Sequence, residues 1–278
     1  MAATNAGDVE AVKVLLSANK GFNLNIRICS SRSASTPLIR ACLGAHVEVV
    51  RLFLADPCLD PNVANEHGNT ALMVAARYGH GNIVQLLLDD KRVDPCVAKS
   101  DGDTALTFAC DRGHPRVVEQ LLRDERITPN DERNARGNSP LMIAAGRGHV
   151  AVVRLLLSDG RADPNTVNLR GHTALISAAM HKHVDVCALL VADARTDRTP
   201  PPADQVEGRL IIDRVVAAHT RRVWLLRFRG VVRAVVVLRR MRARAAERVY
   251  APYAGREGYA AAASHFHRLS QPQGQSFT

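Results

Sequence analysis

The amino-acid sequence predicts an all-α fold, a solenoid of stacked helix-turn-helix units with protruding hairpin loops, plus a basic helical C-terminal tail. One pattern, which begins with Thr or Ser and ends with His, recurs at intervals of 34 or 35 residues. A period of this size is typical of stacked supersecondary units. Aromatic residues form only 4% of the chain, which suits thin helical layers with small contact residues. The five copies begin at Thr36, Thr70, Thr104, Ser139 and Thr173.

Each unit has local signals for two helices and a loop. The hydroxyl of Thr70 precedes an apolar stretch and can cap the first free amides of a helix, which Gly79 then ends. A second helix is predicted over residues 82–88, because apolar side chains cover most of its surface. That pattern is expected for an element with neighbouring units on both sides. Pro95 and Gly102 then predict a turn-rich hairpin loop.

The same signals divide the chain into an array and a C-terminal region. The array spans residues 1–198, and its connection through residues 23–35 is longer than the others and predicts a mobile loop. The array is predicted to consist of a half repeat over 1–33 and repeats that start near 34, 68, 102, 137 and 171. After it we predict a Pro-rich linker (199–205), a capping and basic amphipathic helical segment (206–250) and a disordered tail (251–278).

The order Thr-Pro-Leu or Thr-Ala-Leu, Ala-Ala, Gly-His, Val-Val and Leu-Leu-Leu, repeated in register over residues 1–198, resembles the ankyrin repeat family. Two features depart from that family's pattern. The period exceeds the usual value of about 33 residues, and the residue after each Leu is not the usual His. The residues at that position are Ile39, Met73, Thr107, Met142 and Ile176. The resemblance implies a repeat solenoid that binds a partner protein through its concave groove and loop tips.

By this resemblance, the variable residues at the loop tips and before each Gly-His turn are the candidates for partner binding. Tyr78, with Arg77 and Arg112, is the strongest anchor candidate, since Tyr and Arg are enriched among binding hot spots. The alternative is that these side chains are only solvated. The candidates are Glu66, His67, Asn69, Arg77, Tyr78, Asp101, Asp103, Asp111, Arg112, Arg136, Asn138, Arg147, Arg170 and His172, with Ser100, Leu169 and His181 beside them.

The C-terminal region carries most of the net charge of +10. Residues 199–278 contain 14 Arg, no Lys and 5 acidic residues, which gives +9. Residues 223–244 predict an amphipathic helix with an apolar face and an opposite basic face. The basic face consists of Arg229, Arg233, Arg240 and Arg244. This helix is predicted to pack on the array or to contact a calmodulin-like protein, an anionic membrane or nucleic acid.

Motifs for catalysis and for cofactor or metal binding are not found in the sequence. It lacks a GxSxG motif, a phosphate-binding GxxxxGK[ST] loop and a GxGxxG motif after a strand. The periodic histidines occur once per layer, too far apart to share one metal ion, so we predict that they hold the inter-helix turns by hydrogen bonds. We therefore expect no enzyme activity, no cofactor, no metal and no small-molecule substrate.

The six cysteines show no CxxC spacing and predict buried, reduced thiols in an intracellular protein, cytoplasmic or nuclear. No pattern of a signal peptide or a membrane span is visible. The sequence thus predicts a non-enzymatic scaffold for protein binding. Two alternatives remain, a substrate adaptor of the ubiquitin-ligase type and a scaffold tethered to membrane or nucleic acid by the basic tail.

Overall fold

A computed structural model describes residues 1–18, 23–30, 33–130, 134–198 and 210–221 of the chain, and these residues form paired helices in sequence order. The helices are α1 (Ala2–Ala6), α2 (Val9–Ala18), α3 (Pro37–Leu43), α4 (Val47–Leu54), α5 (Ala71–Tyr78), α6 (Gly81–Asp89), α7 (Ala105–Arg112), α8 (Pro115–Leu122), α9 (Pro140–Arg147), α10 (Val150–Asp159), α11 (Ala174–Met180), α12 (Val184–Ala192) and α13 (residues 210–221).

The first helix of each full unit begins where the sequence predicts. The Thr70 hydroxyl accepts a hydrogen bond from the amide of Met73 at 3.3 Å, which satisfies one of the free amides at the start of α5. The corresponding Thr or Ser hydroxyls cap α3, α7, α9 and α11 in the same way. Gly79 ends α5 in the left-handed conformation, with φ of 77°. A residue with a Cβ would be strained there.

The helices stack in two rows, and the solenoid predicted from the sequence is confirmed. The first helices α1, α3, α5, α7, α9 and α11 pack each on the next, and the second helices α2, α4, α6, α8, α10 and α12 do the same behind them. Small side chains such as Ala75 and Ala76 are fully buried between first helices. Larger ones such as Leu87 of α6 are also fully buried, and together they form one continuous apolar core that extends through the array.

The N-terminal unit contains a short first helix as well as a second one. The sequence predicted only the second half of a repeat here, but α1 packs on α3, while α2 packs on α4. The prediction of a loop after it is wrong for residues 28–30 and 33–35. Two short antiparallel strands, β1 (Ile28–Ser30) and β2 (Ser33–Ser35), pair there with Ile28 opposite Ser35. Pairing satisfies backbone groups that a loop would leave to water.

An ion pair in the loop after each of the last four units joins that unit to the one before. The Arg161 guanidinium contacts the Asp159 carboxylate at 2.7 Å and donates to the carbonyl of Ile127 at 2.9 Å and to that of Leu122. These carbonyls lie at the C-terminal end of α8 and in the loop beyond it. Corresponding ion pairs are Asp90–Arg92, Asp124–Arg126 and Asp193–Arg195. The sequence analysis did not predict this Asp-x-Arg contact.

The cysteines differ from one another in burial. Cys42, Cys110 and Cys187 are buried, and burial raises the pKa of the Cys187 thiol to about 11. The prediction of buried thiols is wrong for Cys58 and Cys96, which are exposed in the loops between units. None of these five thiols forms a disulfide with another described cysteine, and the Cys29 side chain lies outside the described residues.

Beyond the array, only α13 is described. Its Ile212 and Val215 side chains are buried and belong to the same apolar core as the array. Positions 199–205, 222–250 and 251–278, including the basic face with Arg229, Arg233, Arg240 and Arg244, lie outside the described residues. None of the helices described is long and apolar enough to span a bilayer.

Candidate functional site

A groove with a volume of about 850 Å³ crosses the layers of α7, α9 and α11. Its walls are the loop tips before these helices and the exposed sides of the helices themselves. Of the residues singled out from the sequence, it brings together Asp101, Asp103, Asp111, Arg136, Asn138, Arg147, Leu169, Arg170, His172 and His181. It does not include Glu66, His67, Asn69, Arg77, Tyr78, Ser100 and Arg112.

Hydrogen bonds hold the loop tips of the groove in a fixed shape. In one tip the Asn134 side-chain oxygen accepts from the amides of Arg136 and Asn138, at 3.0 and 3.1 Å. Asn168 holds the next tip in the same way. Adjacent tips are joined, because the amide of Leu169 donates to the carbonyl of Arg136 at 3.2 Å. The exposed side chains therefore project from an ordered backbone.

Lys99 interrupts a regular link between these tips. Between the last two tips the Asn168 amide group donates to the Asn138 side-chain oxygen at 2.7 Å. Two layers earlier, Lys99 stands where Asn168 stands in its own unit, and the buried Asn69 side-chain oxygen has no hydrogen-bond partner among the described residues. The Lys99 ammonium instead pairs with the Asp101 carboxylate at 2.7 Å. The presence of Lys99 in place of Asn thus puts a cation at the edge of the groove.

Phe108, which the sequence analysis missed, lies on the floor of the groove and is only 8% exposed. The Arg77 guanidinium carbon and the Lys99 ammonium nitrogen each lie 5.5 Å from the centre of its ring, within cation–π distance. Val74 and Ile143 occupy the same position in neighbouring units. The sequence did offer a signal for this residue, because an aromatic ring replaces an aliphatic side chain here in a chain with only six Phe.

The three residues predicted to form the strongest anchor have different surroundings in the structure. The Arg77 guanidinium lies over Phe108, so it is engaged within the array. The Tyr78 side chain is 52% exposed and stacks on the His80 ring, with ring centres 6.1 Å apart, and it does not line the groove. Arg112 lies 3.4 Å from the Asp111 carboxylate. The three do not form one cluster in the groove.

The three acidic side chains of the groove differ in their partners. Asp101 pairs with Lys99, and the hydrogen bond from Lys99 holds the pKa of Asp101 below its ordinary value. Asp111 accepts from the Arg147 guanidinium of the next layer at 2.7 Å. Asp103 has no ion pair with any described residue. Burial and, next, the negative charge of Asp101 raise the pKa of Asp103.

The opposite end of the groove is apolar and basic. Leu169, at the tip before α11, is 80% exposed, and Met180, at the end of α11, is 41% exposed. The exposed Arg136 and Arg170 stand on adjacent tips and form no ion pair with the described residues. The groove is thus acidic toward α7 and apolar and basic toward α11.

Four of the periodic histidines hold an inter-helix turn by a hydrogen bond, as predicted, and the turn belongs to the preceding unit, so the bond also joins neighbouring layers. The ring nitrogen Nε2 of His114 donates to the carbonyl of Arg77 in the preceding unit at 3.0 Å. His46, His149 and His183 make the same contact. The rings reach these carbonyls because they lie against glycines of the preceding unit, such as Gly113 under His149. Among the residues described, no group of three or more His, Cys, Asp or Glu could hold a metal ion.

Comparison with known families agrees with this architecture. A model of the ankyrin repeats matches the chain in three copies, over residues 1–99, 56–133 and 106–199. Comparison with curated proteins finds no match. Ankyrin repeats are generally protein–protein interaction modules. Because the matches cover residues 1–199 of 278, the chain belongs to the ankyrin repeat family.

Proposed function

We propose that this chain is a non-enzymatic scaffold that binds a partner protein in the groove formed by α7, α9, α11 and their loop tips. The observation that carries this proposal is the groove itself, which crosses three layers and exposes Arg136, Leu169 and Arg170 on a hydrogen-bonded backbone. Rigid tips lose little conformational entropy on binding, so more of the contact energy remains as affinity.

Electrostatics supports selectivity in this groove. Its acidic and basic ends attract opposite charges, and such complementarity favours one orientation of a partner and disfavours others. The Asp111–Arg147 pair, at 2.7 Å, lies between the two ends and fixes the Arg147 side chain across two layers. A partner would therefore meet a pattern of charge that is largely set before binding.

Selection of displayed peptides on the immobilised full chain tests this proposal. The groove variant is Asp103→Arg with Arg170→Glu, which leaves the net charge unchanged. The matched control is Asp185→Arg with Arg154→Glu, two exposed residues of the second helices α12 and α10. We expect selected peptides to bind the groove variant about tenfold or more weakly, a loss of roughly 1.4 kcal/mol, and to bind the control as they bind the wild type. Equal binding by all three proteins would contradict the proposal.

The charge of the C-terminal region supports a second candidate function, a scaffold tethered to a polyanion. With 14 Arg against 5 acidic residues in 199–278, attraction to anionic lipid headgroups is expected and would weaken with salt. Sedimentation of the full chain with phosphatidylserine vesicles, and with phosphatidylcholine vesicles as the control, tests it. A variant with Gln at Arg229, Arg233, Arg240 and Arg244 should lose the salt-sensitive binding. No observation favours a ubiquitin-ligase adaptor over these two functions.

A further inference from the structure

One carboxylate of the groove forms no ion pair with any residue that the structure describes. Lys99 neutralises Asp101, and Arg147 with Arg112 neutralises Asp111. Asp103 stands between them in the same wall, only partly exposed, and forms no ion pair with the described residues. Burial and the nearby Asp101 and Asp111 raise the pKa of Asp103, although Lys99 and Arg77 partly offset them. The charged form of this carboxylate is therefore stabilised by an added cation.

The apolar contact of the groove lies two layers away. Leu169 is 80% exposed on the tip before α11, on the same side of the array as the tip that carries Asp103. Its backbone is fixed by the hydrogen bond to Arg136, so the side chain is presented at a defined place. Met180, at the far end of α11, and Ile143, in α9, also line the groove and add apolar surface to it. Such a surface is stabilised when a partner's apolar side chain covers it.

The distance between Asp103 and Leu169 determines how far apart the two matching residues of the partner must be. Packed helices lie about 8–10 Å apart, so two layers separate the Asp103 tip from the Leu169 tip by roughly 16–20 Å. An extended chain rises about 3.3 Å per residue, so this distance corresponds to five or six residues, roughly.

We propose that the partner of this groove is an extended protein segment that places a Lys or Arg against Asp103 and an apolar side chain against Leu169, about five or six residues apart. This inference rests on the proposed function, because it names the chemistry of the segment that the groove binds. The cation would pair with Asp103, the acidic residue of the groove that has no ion pair within the described part of the chain, and Arg136 and Arg170 disfavour a second basic residue at the apolar end.

The experiment uses peptides selected from a random displayed library on the immobilised full chain. We expect the selected pool to be enriched, relative to the starting library, in sequences with Lys or Arg five or six positions from Leu, Ile, Phe or Met. For one such peptide, Asp103→Asn should weaken binding about tenfold, and the peptide with its basic residue changed to Gln should lose no further affinity in that variant. Asp103→Glu should retain most of the binding, and Leu169→Ser should remove the apolar preference.

The control is Asp185→Asn, which removes one exposed carboxylate from α12 and should change nothing. Thermal melts of every variant by circular dichroism check that the array remains folded. Peptides that need the groove but show no coupling between their basic residue and Asp103 would overturn this inference and leave the proposed function standing. Peptides that ignore Asp103, Arg170 and Leu169 alike would overturn the proposed function as well.

Discussion

At the scale of single residues, the units differ at positions where one side chain joins two loops. The Asn130 amide group donates to the carbonyl of Arg161 at 2.7 Å, and its oxygen accepts from the amide of Asp163 at 2.8 Å. Asn62 and Asn165 make the same two contacts in their units. Cys96 stands at this position in the unit between, where its thiol donates to the carbonyl of Arg126. A thiol is a weak donor.

Replacing Cys96 with Asn should therefore stabilise the array. The new side chain would make a stronger hydrogen bond to Arg126 and could accept one from the amide of Thr128, so we expect the free energy of unfolding to rise by about 1 kcal/mol. Urea denaturation with an unchanged slope measures this. The reciprocal change Asn62→Cys should lower stability by a similar amount. A gain in both variants, or in neither, would contradict the equivalence of the two positions.

A second difference concerns the left-handed residue before each periodic histidine. Ala45 holds φ of 58° where the next three units have glycine and the last unit has Lys182. The buried Nε2 of His80, in the next layer, makes no hydrogen bond of ordinary geometry with the residues described. Burial lowers the pKa of His80, and a contact with the Leu43 carbonyl partly offsets this. A Cβ on Gly113 would lie 2.6 Å from the His149 ring. We infer that the Cβ of Ala45 prevents the His80 ring from making as good a hydrogen bond to the Leu43 carbonyl as His149 makes to the carbonyl of Asp111.

Exchanging glycine and alanine at these two sites should shift stability in opposite directions. Gly113→Ala adds left-handed strain and an overlap with His149, so we expect a loss of about 2–3 kcal/mol in the free energy of unfolding. Ala45→Gly relieves strain of roughly 1–2 kcal/mol but adds unfolded-state entropy, so we expect a gain of about 0.5–1 kcal/mol. Thermal denaturation of both variants checks the signs, and a loss from Ala45→Gly would contradict the inference about His80.

Residues whose role is local were predictable from the sequence, and those that act between layers were not. The caps of Thr70 and Ser139 depend on atoms three residues away, so the helix starts were predicted correctly. The contacts of His114 and Arg161 bridge 37 and 34 residues, and their partners are backbone carbonyls, which carry no sequence signal. The role of Phe108 on the floor of the groove could not be predicted for the same reason, because only the stacking of the layers brings Arg77 over its ring.

At the scale of helices and loops, stability depends on ion pairs that join one unit to the next. Hydrogen bonds from Arg92, Arg126 and Arg195 lower the pKa values of Asp90, Asp124 and Asp193 from their ordinary value of 3.8. A carboxyl whose pKa is lower in the folded chain than in the unfolded chain stabilises the fold at pH values above its unfolded pKa. This contribution is lost as the pH falls through the folded pKa. The contribution of Asp103 to stability changes with pH in the opposite direction, because the pKa of Asp103 is raised in the folded chain.

We therefore expect the free energy of unfolding to decrease as the pH falls below about 4. Urea midpoints measured at pH 7, 5 and 3 test this. The matched control replaces Asp90, Asp124 and Asp193 with Asn, which should lower stability at pH 7 and flatten its decrease in acid. An equally steep decrease in the control would assign the acid sensitivity to other carboxyls.

At the scale of the whole molecule, the array is one core divided among layers that contact only their neighbours. The period in the sequence was sufficient to predict this arrangement, since each unit repeats the same buried positions. The shape of the connections was less predictable, as the β1–β2 hairpin shows, because an unusually long loop has no second copy to compare with. Cooperativity follows from the stacking, since each layer is stable only when its neighbours cover it.

Leu87 provides the sharpest test of this stacking. It is fully buried in α6, in the second row between α4 and α8. Leu87→Asp would bury an unpaired charge, and the expected cost of more than about 5 kcal/mol is comparable with the whole stability of a typical domain. We expect circular dichroism to show loss of helix across the array and not in one layer alone. Leu169→Asp is the control, because the same chemical change at an exposed tip should leave the melting temperature almost unchanged. A normal helical melt of the Leu87 variant at the wild-type temperature would show that the layers are not coupled through this core.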